Sequence, residues 1–207
     1  MPAVWDVTTP EAALEARLAG AVATLRQLTD ADLTEAAELA WVAAAGAQTA
    51  GRVLAAANQA LPRPSSALGA LWQATTTLRE HRGDGHIAAL VAHGISPAAS
   101  HLLKVGAGES EAEPLRLGRK FSDEAWAAET VLLRERGILD SSGGLTASGA
   151  ALHEAVEAAT DAAAAQPWEV LGEEGTTRLA ELLGPLRAAV VASGMLPEIN
   201  PIGLPLR

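Results

Sequence analysis

The chain has 207 residues, of which 49% are hydrophobic and 19% charged, and it contains no cysteine. This composition excludes disulfides, thiolate nucleophiles and cysteine-ligated zinc. The net charge of −10 excludes nucleic-acid binding through an overall positive field, so any DNA contact must come from a local basic patch. No charged-then-apolar leader and no run of about 18 apolar residues occurs, so we expect a soluble cytoplasmic protein.

The first part of the chain predicts an antiparallel pair of helices. Thr9 and Pro10 are typical of an N-cap and a first helical residue, and apolar residues follow at helical spacing. The second helix is predicted from about residue 31 to residue 60, although Gly46 and Gly51 weaken it. Such a pair needs a partner surface that buries its apolar stripe.

A break rich in proline and serine, residues 62–66, is the predicted domain boundary. The expected domains are an N-terminal helical pair over residues 1–61 and a winged-helix domain over residues 66–207. The second domain is predicted to begin with a helix over residues 67–82.

Glycines interrupt the charge-rich part of the sequence that follows. Gly83 and Gly85 predict a bend, and a short helix is predicted after it over residues 86–93. Ser96 is the predicted N-cap of a further helix, which ends before a polar stretch at residues 109–113. We therefore expect short helices joined by turns in this region.

The third part of the chain predicts a helix, a hairpin and two long helices. Ser122 is the N-cap of the first helix, and Gly137 closes it. Two short apolar runs around a Gly-rich loop, residues 140–144, predict a two-stranded hairpin. Long helices are predicted over residues 147–165 and 173–193, and the proline-rich tail after them is predicted to be extended.

The order of helix, glycine, apolar pair, turn and helix is that of the wing in a winged helix-turn-helix domain. The run Leu145-Thr146-Ala147-Ser148-Gly149-Ala150-Ala151-Leu152 resembles the end of the wing in MarR-type proteins, Leu-Thr-x-x-Gly-x-x-Leu. The resemblance implies a mainly α fold: a MarR-like winged helix-turn-helix with a two-stranded wing, an N-terminal helical pair and long C-terminal dimerisation helices. It also implies a homodimer.

A second resemblance covers nearly the whole chain. The run Leu78-Arg79-Glu80-His81-Arg82-Gly83-Asp84-Gly85-His86-Ile87-Ala88-Ala89-Leu90 and the ending Asn200-Pro201-Ile202-Gly203-Leu204-Pro205 are similar to an actinobacterial helix-turn-helix family with SalK-like members. Members of that family carry a further N-terminal helical segment, which we expect this sequence to lack. The resemblance implies a fold more than an activity.

The helix after Ser122 is the predicted recognition helix, whose first residues reach base edges in helix-turn-helix domains. Two of those residues are carboxylates, Asp123 and Glu124, which repel phosphate. The predicted wing turn carries no basic residue. The candidate DNA-binding residues are therefore Arg116, Arg119 and Lys120, which could contact phosphate or could simply solvate a helix end.

The candidate ligand-binding residues lie in or shortly before the charged segment, residues 79–86: Trp72, Arg79, His81, Arg82, Asp84 and His86. The arginines could hold a carboxylate or phosphate, and a histidine could then transfer a proton. The histidines and Asp84 could instead bind a metal, although no metal signature is present. In the structural alternative, Asp84 caps a helix that begins at Gly85, and the arginines pair with Glu80 and neighbouring acids.

Two functions fit these patterns. The first is a MarR-like, ligand-responsive transcriptional regulator that binds DNA as a dimer, which the resemblances support. The second is a winged-helix scaffold that does not bind DNA and binds or transforms a small molecule at the charged segment, which the acidic charge supports. No catalytic triad, phosphate loop or dinucleotide motif occurs, so the sequence predicts no cofactor. His101 and His153 are isolated in the sequence and are expected to be structural or exposed, whereas His93 could join a metal set with His86.

Overall fold

A computed structural model describes residues 3–196 of the chain. Within this range the protein is helical, as predicted, with a short 3-10 helix at Ala3–Asp6 and nine α-helices. The α-helices are α1 Pro10–Arg26, α2 Thr34–Ala45, α3 Val53–Gln59, α4 Ala67–Ala92, α5 Pro97–Gly106, α6 Ala112–Gly118, α7 Asp123–Glu135, α8 Ala147–Glu169 and α9 Gly172–Ala192. None of these helices is long and apolar enough to cross a membrane. The predicted extended tail lies outside the described residues.

The described residues divide into two compact units. Unit 1 contains residues 3–84 and 165–194, and unit 2 contains residues 85–164 together with residues 195 and 196. Helices α4 and α8 therefore contribute residues to both units. The boundary predicted at residues 62–66 was one between two domains, and it stays a prediction.

Small side chains form much of the core of unit 1. Five alanines of α2 are buried, and they belong to a cluster with Leu71 and Leu78 of α4 and Leu179 of α9. Helix α1 buries no residue, and its Val22 and Leu25 lie partly buried against this cluster. Because alanine removes little apolar area from water, the leucines of the cluster supply most of its buried apolar area.

The predicted helix over residues 31–60 is wrong, because α2 and α3 are separate helices. The chain between them turns at Gly51, whose φ of +73° lies in the left-handed region that glycine favours. The amide Nε2 of Gln59 donates to three carbonyl oxygens at and after the end of α2, those of Ala44, Ala45 and Ala47, at 2.9, 3.2 and 2.9 Å. A side chain of α3 thus satisfies acceptors that the helix end leaves open.

The predicted bend at Gly83 and Gly85 is also wrong. Both glycines lie inside α4, which is continuous from Ala67 to Ala92, so no separate helix exists over residues 86–93. A glycine inside a helix costs about 1 kcal/mol relative to alanine. The contacts of the side chains around these glycines, described below, offset that cost.

Unit 2 contains a helix-turn-helix arrangement. Helix α5 packs against both α6 and α7, and residues 119–122 form the turn between α6 and α7. Helix α6 was not predicted, although its Pro114 lies in the first turn, where a helix tolerates proline. The buried cluster of this unit contains Leu103, Leu133 and Val156, which come from α5, α7 and α8.

The predicted two-stranded wing is wrong. Over residues 3–196 the chain forms no β-strand, and the expected hairpin is reduced to one antiparallel bridge between Leu139 and Leu145. The Asp140 carboxylate accepts a hydrogen bond from the Gly144 amide at 3.0 Å, which closes the Gly-rich loop on itself. The Asp140 and Thr146 amides donate across the loop to the Gly144 and Ile138 carbonyls at 2.9 and 3.0 Å, and the Leu145 amide donates to the Gly106 carbonyl of α5 at 3.1 Å.

Gly149 in the first turn of α8 allows the close approach of this loop, since a Cβ atom there would lie 2.2 Å from the Ile138 carbonyl oxygen. We expect Gly149→Ala to lower the free energy of unfolding by about 1–3 kcal/mol, because the backbone must shift. Gly20→Ala in α1 is the matched control, because a Cβ atom at Gly20 meets nothing within 4 Å. The control should be as stable as wild type or up to about 1 kcal/mol more stable. Urea unfolding followed by circular dichroism measures both, and equal midpoints for Gly149→Ala and wild type would contradict the close contact.

Candidate functional site

Hydrogen bonds of the Schellman type end α6 and begin the turn of the helix-turn-helix. The Phe121 amide donates to the Arg116 carbonyl at 3.0 Å, and the Lys120 amide donates to the Leu117 carbonyl at 3.1 Å. Lys120 has a φ of +58°, in the left-handed region that this motif usually fills with glycine. The cost of that conformation for a side chain is about 1 kcal/mol.

Aromatic contacts hold the turn against its neighbours. The Phe121 ring lies 5.8 Å from the His101 ring of α5 and 5.9 Å from the Trp126 ring of α7, between ring centroids. Tilted and edge-on ring pairs at such distances are favourable beyond their buried area. Phe121 therefore connects the turn both to the helix beneath it and to the helix that follows.

The three predicted DNA-binding residues lie together on α6 and the turn. Arg119 and Lys120 are exposed, whereas Arg116 is half-buried and forms an ion pair with Asp123 at the start of α7. Hydrogen bonds of the Glu124 backbone amide and of Ser122 lower the pKa of the Glu124 carboxyl. Both acids at the start of α7 thus have partners within this unit.

The outward part of α7 is less basic than its sequence suggests. Val131 and Leu132 are about half exposed, at 49% and 51%. The Arg134 guanidinium donates to the carbonyls of Asp140 and Ser141, each at 3.1 Å, and so holds the Gly-rich loop. The exposed basic side chains that remain in this region are Arg119 and Lys120 on the turn and Arg136 after the end of α7.

His81 is a core residue of unit 1. Its side chain is 1% exposed, its Nε2 lies 3.1 Å from the Gln48 carbonyl oxygen, and its own carbonyl accepts a hydrogen bond from the Arg52 guanidinium. Burial and, next, the charge of Arg52 lower the pKa of His81. The neutral ring donates through Nε2 to the chain between α2 and α3, which is a structural role.

Asp84 holds the start of α3. One of its carboxylate oxygens accepts hydrogen bonds from the Leu54 and Ala55 amides at 2.9 and 3.0 Å. The predicted cap of a helix beginning at Gly85 is wrong, because that residue lies inside α4. Asp84 caps a different helix, 29 or 30 residues earlier in the chain.

The other predicted ligand-binding residues have separate surroundings. Arg79 is exposed and pairs with Glu80, and Arg82 is exposed. Trp72 carries the Arg17 guanidinium 5.0 Å from its ring centroid. His86 belongs to unit 2, where its Nδ1 lies 2.9 Å from the buried Thr160 hydroxyl.

A cavity of about 330 Å³ in unit 1 lies elsewhere. Its lining comes from the ends of α1 and α4 and from the chain between α1 and α2: Arg26, Thr29, Asp30, Ala31, Asp32, Leu33, Ser66, Ala67 and Leu68. None of the predicted ligand-binding residues lines it. Among residues 3–196, no three His, Asp or Glu side chains are grouped so that they could hold a metal ion.

His101 is a residue that sequence reasoning missed. Burial lowers its pKa, and the positive charges of Arg119, Lys104 and His86 lower it further. The spacing of His101 and Lys104, three residues apart on α5, was the available signal. The contact with the turn through Phe121 could not be read from local sequence.

The sequence profile of a helix-turn-helix family matches residues 1–197, and the chain therefore belongs to that family. No curated protein and no solved structure matches the chain. The family agrees with the arrangement of α6, the turn and α7. The MarR-type and actinobacterial resemblances are more specific than this family and stay predictions.

We expect the protein to lose stability as the pH falls from about 7 to about 5. His81 and His101 have lowered pKa values in the native state, whereas unfolded histidines bind protons below about pH 6.5, so acid favours unfolding. Each histidine contributes up to about 1.4 kcal/mol per pH unit within that window. Melting temperatures across the range, at constant ionic strength, measure the slope. His81→Gln, which keeps an amide donor, should reduce it, and an unchanged slope in this variant would contradict the assignment.

Proposed function

We propose that this member of the helix-turn-helix family is a ligand-responsive transcriptional regulator that binds duplex DNA as a homodimer. The observation that carries the proposal is the pair α6 and α7 joined by residues 119–122, with Arg119 and Lys120 exposed on the turn. In such domains the second helix enters the major groove and the first crosses the backbone. Helix α7 is then the recognition helix, and Arg116, Arg119 and Lys120 contact phosphate.

The charge of unit 2 determines how this binding must work. Residues 85–164 contain six basic and eleven acidic residues, so no long-range positive field attracts DNA. Affinity must come from a few close phosphate contacts, and it should fall steeply with salt. The ion pair of Arg116 with Asp123 reduces the positive charge at the site further.

Dimerisation and ligand response are supported by the MarR-type resemblance. The predicted dimerisation helices are α8 and α9, and the last turn of α9 carries two half-buried apolar side chains, Val190 and Val191. A symmetric dimer reads two half-sites about 34–36 Å apart. The cavity beside Arg26 and Ser66 is of a size that suits a small effector.

The second candidate function is small-molecule binding without DNA, and the acidic charge around the recognition helix favours it. The predicted contacts are those of the charged segment and Trp72, although His81 and Asp84 carry structural hydrogen bonds. In this alternative the exposed Arg79, which pairs with Glu80, and the exposed Arg82 hold an anionic group. A wild-type protein that does not bind duplex DNA at micromolar concentration and low salt would favour this alternative.

The first test is fluorescence anisotropy with labelled duplexes from around the protein's own gene. We expect the double variant Arg119→Gln/Lys120→Gly to bind about 10- to 100-fold more weakly and to reduce the slope of log affinity against log salt by about 2. Glycine at residue 120 removes the charge and suits the left-handed backbone. Arg187→Gln on α9, an exposed arginine of unit 1, is the matched control and should behave as wild type. Equal affinities for the double variant and the control would contradict the assignment.

The ion pair at the start of α7 predicts a variant that binds duplex DNA more tightly than wild type. Asp123→Asn removes a carboxylate and leaves Arg116 able to contact phosphate, so duplex affinity should rise by up to about tenfold at low salt. Its fold should lose about 0.5 kcal/mol, because an acid in the first turn stabilises a helix. Glu135→Gln at the other end of α7 changes the net charge equally and should raise affinity less. An affinity gain that is the same in both variants would mean that only net charge matters.

A further inference from the structure

We propose that His101, Lys104 and Arg119 form a binding site for a phosphate group in unit 2. Membership of the helix-turn-helix family does not itself identify these three residues as a binding site. A DNA backbone phosphate and a free phosphorylated small molecule present the same chemistry. Occupation by DNA rests on the proposed function, whereas occupation by a free phosphate group does not.

The geometry brings the three residues to the contact between α5 and the turn. His101 and Lys104 are three residues apart on α5 and so lie on the same face of that helix. The Phe121 ring packs 5.8 Å from the His101 ring and so brings the turn onto this face. Arg119 precedes Phe121 by two residues on the same turn.

The charges at this point have one sign. Arg119, Lys104 and His86 all disfavour a positive charge on His101, and no carboxylate of the part of the chain that the structure describes is among the causes of its pKa shift. Among residues 3–196, the Lys104 ammonium forms no ion pair. The carboxylates at the start of α7 are engaged elsewhere, because Asp123 pairs with Arg116 and Glu124 is held by hydrogen bonds at the helix start.

A gathering of cations is unusual in a chain of net charge −10. Like charges close together repel, and an anion between them relieves the repulsion. Lys104 is half-buried, so water screens its charge less than it screens that of an exposed side chain. The Lys104 ammonium, the Arg119 guanidinium and the protonated His101 ring are all N–H donors, which match the acceptor oxygens of phosphate.

Phosphate binding should also bring a proton to His101. The ring lacks a positive charge near neutral pH because burial and its neighbours lower its pKa. A phosphate beside it favours the imidazolium, so the bound state takes up a proton. Binding should therefore strengthen as the pH falls from about 7.5 towards the pKa of the free protein's His101.

The test is an NMR titration of the five histidine rings in the full chain, with and without millimolar pyrophosphate at constant ionic strength. We expect the pKa of His101 to rise by about 1 with pyrophosphate. The ring signals of His153, whose Nε2 pairs with Glu109 at 2.8 Å, are an internal control and should not respond to pyrophosphate. A second titration replaces pyrophosphate with a duplex.

The variant Lys104→Gln distinguishes two explanations for the lowered pKa of His101: a site for an anion, and burial of the histidine alone. This variant should raise the pKa of His101 without any anion, because a neighbouring cation is lost, and should reduce the rise that pyrophosphate causes. Arg136→Gln, an exposed cation after the end of α7, is the matched control and should leave both values as in wild type.

The outcomes distinguish this proposal from the proposed function. A rise with both probes supports a phosphate site that DNA occupies, and a rise with the duplex alone supports the same site with the DNA backbone as its ligand. A rise with pyrophosphate alone supports a site for a free phosphorylated molecule. An unchanged His101 pKa with both probes overturns the site, even if anisotropy shows duplex binding and the regulator proposal stands.

Discussion

The packing of Phe121 against His101 and Trp126 is the interaction on which the helix-turn-helix unit depends. Phe121 is the only phenylalanine in a chain without tyrosine, so few other rings could connect these helices. Phe121 is half-buried, so it gains part of the about 1.5–3 kcal/mol that full burial of such a ring contributes. That gain offsets the cost of about 1 kcal/mol for the left-handed backbone at Lys120. The turn can therefore keep a charged residue where glycine would be easier, and the cation stays beside the proposed phosphate contacts.

Polar contacts join several segments of unit 1. Its core is rich in alanine, which gains little from burial, and several segments are joined by hydrogen bonds from side chains to the backbone. Asp84 holds the start of α3, His81 holds Gln48, and Gln59 satisfies the end of α2. The charged segment thus stabilises the unit, which accounts for part of the charge concentration without a ligand.

Local signals in the sequence predicted most helix starts. Thr9, Ser96 and Ser122 each accept a hydrogen bond from the amide three residues later, as an N-cap does. The errors occur where distant residues decide the outcome. Gly83 lies in a continuous helix next to Asp84, which binds a segment about 30 residues earlier. The predicted hairpin is reduced to one bridge, beside which the Leu145 amide donates to the Gly106 carbonyl of α5.

The candidate sites show the same limit. Arg116, Arg119 and Lys120 are neighbours in sequence, so their proximity on one turn could be predicted. The burial of His81 depends on Gln48, 33 residues away, and could not be predicted. His101 appeared isolated because its neighbours, Arg119 and Phe121, come from another element.

Hydrogen exchange of the full chain with and without a saturating duplex tests most directly whether α6, the turn and α7 form a DNA-binding surface. The structure predicts slower amide exchange over residues 112–126, where phosphate contacts and the start of α7 lie, with little change in α2 and α3. Equal exchange in both states at these residues, or slowing confined to unit 1, would contradict the assignment of this helix-turn-helix to DNA.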